Sequence, residues 1–182
     1  MEFGSNLGLP RGKVELRPYA REWQELYLVE YRLISKRLGD LALDIQHVGS
    51  TSVPGCLSKP IMDIAIGVES PAAAMACVER LSQIGYIARG EQGIKGRELL
   101  VKGGEERRTH HLQIVEVDSE LWNTFVYFRD YLRYHPESVE EYSRLKQDLA
   151  ARFAAYRVTY TESKGKSIRA IIRRRAEELR GE

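Results

Sequence analysis

Between His47 and Val68 the chain brings a glycine–serine turn, a lysine and a carboxylate into one strand–loop–strand passage. Gly49 has no Cβ, so its backbone can approach an anion closely. Ser50, Thr51 and Ser52 offer hydroxyls and neighbouring backbone N–H groups to phosphate oxygens. Lys59 stands ready to offset phosphate charge. Asp63 lies inside an apolar run, and a hard cation such as Mg²⁺ prefers carboxylate oxygen, leaving part of its shell to phosphates and water. Two residues on, at the next same-face position, stands Ala65. The passage therefore has the parts of a polyphosphate site with a single acid.

A third stretch, Arg108 to Val117, supplies further groups. If Leu112 and Ile114 face helices as Ile64 and Ile66 do, alternation puts His111 and Gln113 on the face of Asp63. An imidazole suits a transition metal better than Mg²⁺, so His111 reads as a general base or phosphate donor. Arg97, Lys102 and Arg108 are candidate phosphate ligands, and a charged surface strand explains each equally well. Glu98 and Glu116 are spare carboxylates; alternation puts Glu116 on the apolar face. For His110 and His111 an ordinary hydrogen-bonded histidine explains the residue as well as a catalytic one does, and His47 is similar. His135 reads as structural at its helix junction, and Cys56 reads as a small residue in a tight loop.

The elements that must position these groups follow from periodicity. Ala20 to Leu38 has helical spacing, stopped at Gly39-Asp40. Leu41 to Val48 and Ile61 to Val68 read as strands flanking the Gly49–Gly55 loop. Ser70-Pro71 opens a helix to about Gln83. Short strands are expected at Tyr86–Ala88 and Arg97–Lys102, and a longer one at Arg108–Val117. From Asp118 the character changes to helices: one from Ser119 broken by Pro136, one over 137–156, one over 161–180. Phe128, Tyr131, Tyr134, Tyr142, Phe153 and Tyr156 read as helix packing. Lys164, Lys166, Arg169 and Arg173 to Arg175 read as a solvated basic face.

With 182 residues and 43% hydrophobic content the chain can build a real core. The net charge of +2 implies no global pull toward nucleic acid or membrane. No apolar run approaches the ~20 residues of a spanning helix. Two cysteines, Cys56 and Cys77, give no metal or disulfide framework, so a reduced cytoplasmic setting is expected. Residues 1–10 read as a flexible lead beginning with a cloning scar, Met1 to Ser5. Residues 11–117 read as an α/β core, and 118–182 as a helical region packed on it.

Several runs resemble the GrpB family, also called UPF0157: HVGSTSVPG at His47–Gly55, KPIMDI at Lys59–Ile64, GIKGR at Gly93–Arg97 and RTHHL at Arg108–Leu112. FRDYLR at Phe128–Arg133, HPE at His135–Glu137 and YSRLK at Tyr142–Lys146 extend the likeness from about Val14 to Ile172. The resemblance implies an α+β fold of the nucleotidyltransferase superfamily: a mixed sheet flanked by helices, with a helical C-terminal third. It makes Gly49-Ser50 similar to the superfamily's Gly-Ser signature, and Asp63 similar to the first acid of its Asp-x-Asp/Glu pair. Ala65 departs from that pair, and Gln113 from a His-x-His pattern common in relatives. By the same resemblance Arg129, Tyr142 and Lys146 line an acceptor cleft. Some relatives are fused to dephospho-CoA kinase, which points to nucleotide or cofactor chemistry.

The implied activity is Mg²⁺-dependent nucleotidyl transfer from a nucleoside triphosphate to a small acceptor, or a ligase-like variant through an adenylated intermediate. The competing expectation is a non-catalytic module that binds a nucleotide or phosphorylated cofactor, or a regulatory partner of another enzyme. The expected partners are a nucleotide and a small acceptor, without membrane or nucleic acid.

Overall fold

A computed structural model describes residues 6–153 and 156–181, with the side chain of Arg157 outside the description. The proposed scar at Met1 to Ser5 lies outside the described residues.

The first helix, α1 (Glu22–Leu38), carries Glu22 and Glu25 in its first turn and Lys36 and Arg37 in its last, complementing the helix dipole at both ends. Gly39 ends it at φ +56, and a 3₁₀ turn (Gly39–Leu41) follows. Strand β1 (Asp44–Val48) therefore starts three residues later than the hydrophobic pattern suggests, because Leu41 is spent in that turn. The Gly49 loop holds a second 3₁₀ turn, Ser50–Ser52, and leads to β2 (Met62–Val68). Helix α2 (Pro71–Ser82) has Pro71 in its first turn and the Ser70 side chain accepting from the Ala73 N–H. Strands β3 (Ile87–Gly90), β4 (Glu98–Lys102) and β5 (His110–Glu116) complete one sheet.

Strand order is β1-β2-β5-β4-β3. β2 and β5 run parallel at the centre, joined through α2 and the β3–β4 hairpin, and every other pairing is antiparallel. The register sets Asp63 opposite His111 and Ala65 opposite Gln113.

The two faces of the sheet are closed by different helices. Met62, Ile64, Ile66, Leu100, Leu112 and Ile114 share one core with Trp23, Ile34 and Leu38 of α1 and with Cys77 and Leu81 of α2. Each such side chain, fully buried, contributes about 1.5–3 kcal/mol. On the other face, Ala65 and Val115 pack with Val48 and with Trp122 of α3 (Glu120–Tyr134). Gly67 lets α3 settle there: a Cβ on it would lie 3.2 Å from the Trp122 ring and 3.1 Å from Val117. Ser119 caps α3 by accepting from the Trp122 N–H.

Helix α4 (Pro136–Phe153) begins on the proline expected to break α3, and α5 (Arg157–Arg180) starts four residues before the expected position. Phe128, Tyr131 and Tyr142 pack with Val53 and Cys56 of the loop and Ile171 of α5. Tyr134 and Tyr156 do not join this packing; they are 73% and 67% exposed. The expected flexible lead is corrected in its last residues. Leu7 and Leu9 are buried, Gly8 donates to the Pro60 carbonyl, and Leu9 bridges to Arg108.

Candidate functional site

Because α3 covers only one end of the second sheet face, the other end is open. Asp63, His111, Gln113, Leu99 and Val101 floor a cleft of about 930 Å³, walled by Gly49-Ser50-Thr51 on one side and by α4 and α5 on another. Arg11, Lys59, Arg89, Arg97, Arg108, Lys146 and Lys164 line it, against the carboxylates of Asp63 and Glu162. A concave site with this excess of cations focuses positive potential and attracts anions.

Gly49 and Asp63 meet at the closest approach in the site. Gly49 has φ +68 and ψ −172, a region that side chains rarely tolerate, and a Cβ there would lie 2.7 Å from Asp63 Oδ2. Glycine is thus required twice, for the turn and for the carboxylate. Asp63 Oδ1 accepts from His111 Nδ1 at 3.3 Å. Burial favours the neutral acid, but the His111 hydrogen bond and the nearby charges of His111, Lys59 and Lys164 outweigh it. Together they hold the carboxyl below its ordinary value. In the neutral ring, a proton on Nδ1 donated to Asp63 leaves the lone pair of His111 on Nε2.

Lys146 of α4 is 2% exposed. Its Nζ donates to Ser50 Oγ at 3.2 Å, to Cys56 Sγ at 3.1 Å and to the Leu57 carbonyl, and lies 4.3 Å from the Tyr142 ring centre. Burial pulls the ammonium below its ordinary value, while Cys56 acts in the opposite direction. Cys56 is therefore a partner of this lysine, beyond filling a tight loop. Tyr160 of α5 is fully buried between Lys59 and Lys164, whose ammonium groups lie 5.6 and 4.7 Å from its ring. Tyr160 lines the cleft side of α5, and its buried hydroxyl has no hydrogen-bond partner among the described residues.

Eleven of the candidate residues come together here: Gly49, Ser50, Thr51, Lys59, Asp63, Arg97, Arg108, His111, Gln113, Tyr142 and Lys146. Two do not. Ser52 turns its hydroxyl back onto the Gly49 carbonyl at 2.6 Å, closing the 3₁₀ turn. Arg129 reaches the other way, to Gln46 Oε1 at 2.6 Å and the His47 carbonyl at 3.2 Å, and braces β1. Thr51 lines the cleft, yet its Oγ1 pairs with His47 Nε2 at 3.0 Å. Lys102 lies on the helix-covered face, bound to Glu30 at 2.7 Å. Glu98 pairs with Ile114 on that same face, and Glu116 is exposed at the strand end.

His47 stacks on Tyr27 at 4.8 Å, His110 bonds Thr109, and His135 stacks on Tyr131 and meets Glu178 at 2.6 Å. Sequence reasoning missed Arg11, Arg89, Tyr160 and the inward turn of Lys164. Only Lys164 had a signal, since Tyr160 and Lys164 are four apart and share a helix face.

The donor set limits any metal. Among the described residues no group of three or more His, Cys, Asp or Glu is placed to hold an ion. Asp63 offers one carboxylate at 31% side-chain exposure, which fits a single Mg²⁺ completed by substrate phosphates and water. A second acid at position 65 is excluded by packing, because Ala65 is fully buried among Val48, Val115 and Trp122.

The sheet, the glycine-serine turn and the strand carboxylate define a nucleotidyltransferase-like fold. The chain superposes on Cid1 poly(U) polymerase with MgGTP bound at a TM-score of 0.52 and 16% identity. That match covers 74% of this chain and 44% of the polymerase, and the likeness is one of fold. Within that class the chain belongs to the GrpB family, whose GrpB protein domain matches residues 13–174. The crystal structure of conserved protein GrpB from Enterococcus faecalis is similar at a TM-score of 0.84 and 31% identity, covering 91% of this chain and 99% of that one. Glutamate-rich protein GrpB of Alkalihalophilus pseudofirmus is 34% identical over 170 residues, 91% of this chain and 98% of the relative. UPF0157 protein YqkA of Bacillus subtilis is 39% identical over 142 residues, 78% of this chain. The match spans only 41% of YqkA.

Proposed function

We propose that the cleft binds a nucleoside triphosphate and transfers its nucleotidyl group to a small acceptor. The observation that carries this reading is the contact of Gly49 with Asp63, in a cationic cleft, with His111 bonded to the same carboxylate. Gly49 and Ser50 hold phosphate oxygens, and Lys59 and Lys146 offset charge as pyrophosphate leaves. His111 Nε2 takes the proton of the acceptor hydroxyl, whose oxygen bonds the α-phosphorus as the bond to pyrophosphate breaks. Asp63 keeps the imidazole in the tautomer this requires. Mg²⁺ on Asp63, when bound, supplies Lewis-acid polarisation of the phosphates. Most of the rate enhancement comes from positioning and fixed charge.

A second reading has its own observation. Ala65 is sealed into an apolar cluster, so the fold supports a one-acid site that binds a nucleotide or phosphorylated cofactor without turnover. Thermal unfolding with nucleoside triphosphates, coenzyme A precursors and sugar phosphates, with and without Mg²⁺, separates the two. Triphosphate stabilisation that needs Mg²⁺ supports transfer, and stabilisation independent of metal supports the binding module. No response to any triphosphate sinks transfer, and no response to any of these ligands sinks the binding module.

A further inference from the structure

The cleft has a second cationic end that the nucleotide reading does not use. Asp63 and Gly49 sit at β2 and its junction with β1. Arg97 immediately precedes β4 and Arg89 lies in β3, two and three strands further along the sheet. At about 4.8 Å per strand the lateral offset from the strand of Asp63 is about 10–14 Å, with His111 of β5 in between. Arg108 and Arg11 join them from the segments that bridge at Leu9 and Arg108. The exposed Glu105 carboxylate lies within 3.6 Å of Arg11, Arg89 and Arg108 at once. Arg97 is held by neutral oxygens, donating to Gln113 Oε1 at 3.1 Å and to the Glu91 carbonyl at 3.0 Å. Its Nε is buried without a partner among the described residues. Arg97 lines the cleft, so an anion bound there sits beside a guanidinium held by neutral oxygens.

We propose that this end seats a phosphomonoester carried by the acceptor. The inference rests on the nucleotidyl-transfer reading, which puts the triphosphate on Gly49-Ser50 and makes His111 the boundary between donor and acceptor. The acceptor hydroxyl then meets His111 Nε2 while its phosphate lies over β4 and β3. Guanidinium forks match phosphate geometry, and a dianion answers the surplus charge here better than a carboxylate does.

Nitrogen-15 NMR of the arginine Nε–Hε groups and backbone amides tests the assignment, with glycerol phosphate as probe and lactate as the carboxylate control. Glycerol phosphate shifts the Arg97 Nε–Hε signal saturably, and more strongly than lactate. Arg89→Gln, at an exposed position, and Arg97→Lys, which keeps the charge but loses the Nε donor, each weaken that response by about tenfold. Both leave phosphate-induced shifts at Gly49 and Ser50 in place. Arg144→Gln on the outer face of α4, where Arg144 pairs with Glu140, changes nothing. Shifts confined to Gly49 and Ser50, equal weakening by Arg144→Gln, or a preference for lactate would overturn the proposal. Failure of the nucleotide reading looks different: ATP with Mg²⁺ leaves the Gly49 amide unmoved while glycerol phosphate still moves Arg97.

Discussion

Asp63 serves two partners with its two oxygens. Oδ1 orients His111, and Oδ2 faces the Gly49 turn, where phosphate and metal chemistry would meet. The pairing was legible in the sequence because alternation along two strands puts both residues on one face. That these strands are neighbours in parallel register was not legible, since their connection runs through α2 and the β3–β4 hairpin. Gly49→Ala tests the demand on this turn. The variant faces both the disfavoured φ and a contact with the carboxylate, and should lose about 1–3 kcal/mol in urea unfolding. It should also lose any response to triphosphates. Retention of both properties would show that the turn relaxes without cost.

At the scale of elements, the second sheet face is divided between α3 and the cleft, and small residues draw the boundary. Ala65 and Gly67 admit Trp122; Asp63, one step earlier on the same face, remains open. Introducing a second acid by Ala65→Asp should therefore produce a damaged protein. A carboxylate among Val48, Val115 and Trp122 has no partner, and about 3 kcal/mol or more of stability should go. Denaturant midpoints of variant and wild type decide it, and an Ala65→Asp protein as stable as the wild type would refute the packing argument. Strands and helices were readable from periodicity to within a few residues. The wall contributed by α5 was not, because a basic helix face looks solvated until a neighbour covers it. Lys164 shows this: it turns inward beside Tyr160, a residue fully buried in the same helix.

Across the whole molecule, two buried histidines couple folding to pH. His47 is 3% exposed between Tyr27 and Thr51, and His110 is 8% exposed. Burial lowers them to about 3 and about 4 respectively. Both lie below the ordinary value of 6.5, so between there and the folded values the unfolded chain binds more protons. Stability must fall as pH drops through that window, by about 2 kcal/mol per histidine at pH ~5. Asp63 adds its share at lower pH, because its depressed carboxyl loses its stabilising contribution as pH falls below the usual carboxylate range. Urea midpoints at neutral and mildly acidic pH, in wild type and His47→Gln, measure the effect. The variant should flatten the profile, and an unchanged slope would remove His47 from the account. No helix among the described residues is long and apolar enough to cross a membrane. Seven basic side chains line one cleft over Asp63. The central claim is that this acid couples metal to nucleotide, and Asp63→Asn tests it most directly because it keeps the shape and removes the charge. Calorimetric titration of each triphosphate into wild type with Mg²⁺ should show binding that weakens at least about tenfold without metal or in Asp63→Asn. Equal affinity in wild type and Asp63→Asn, with or without Mg²⁺, would contradict it.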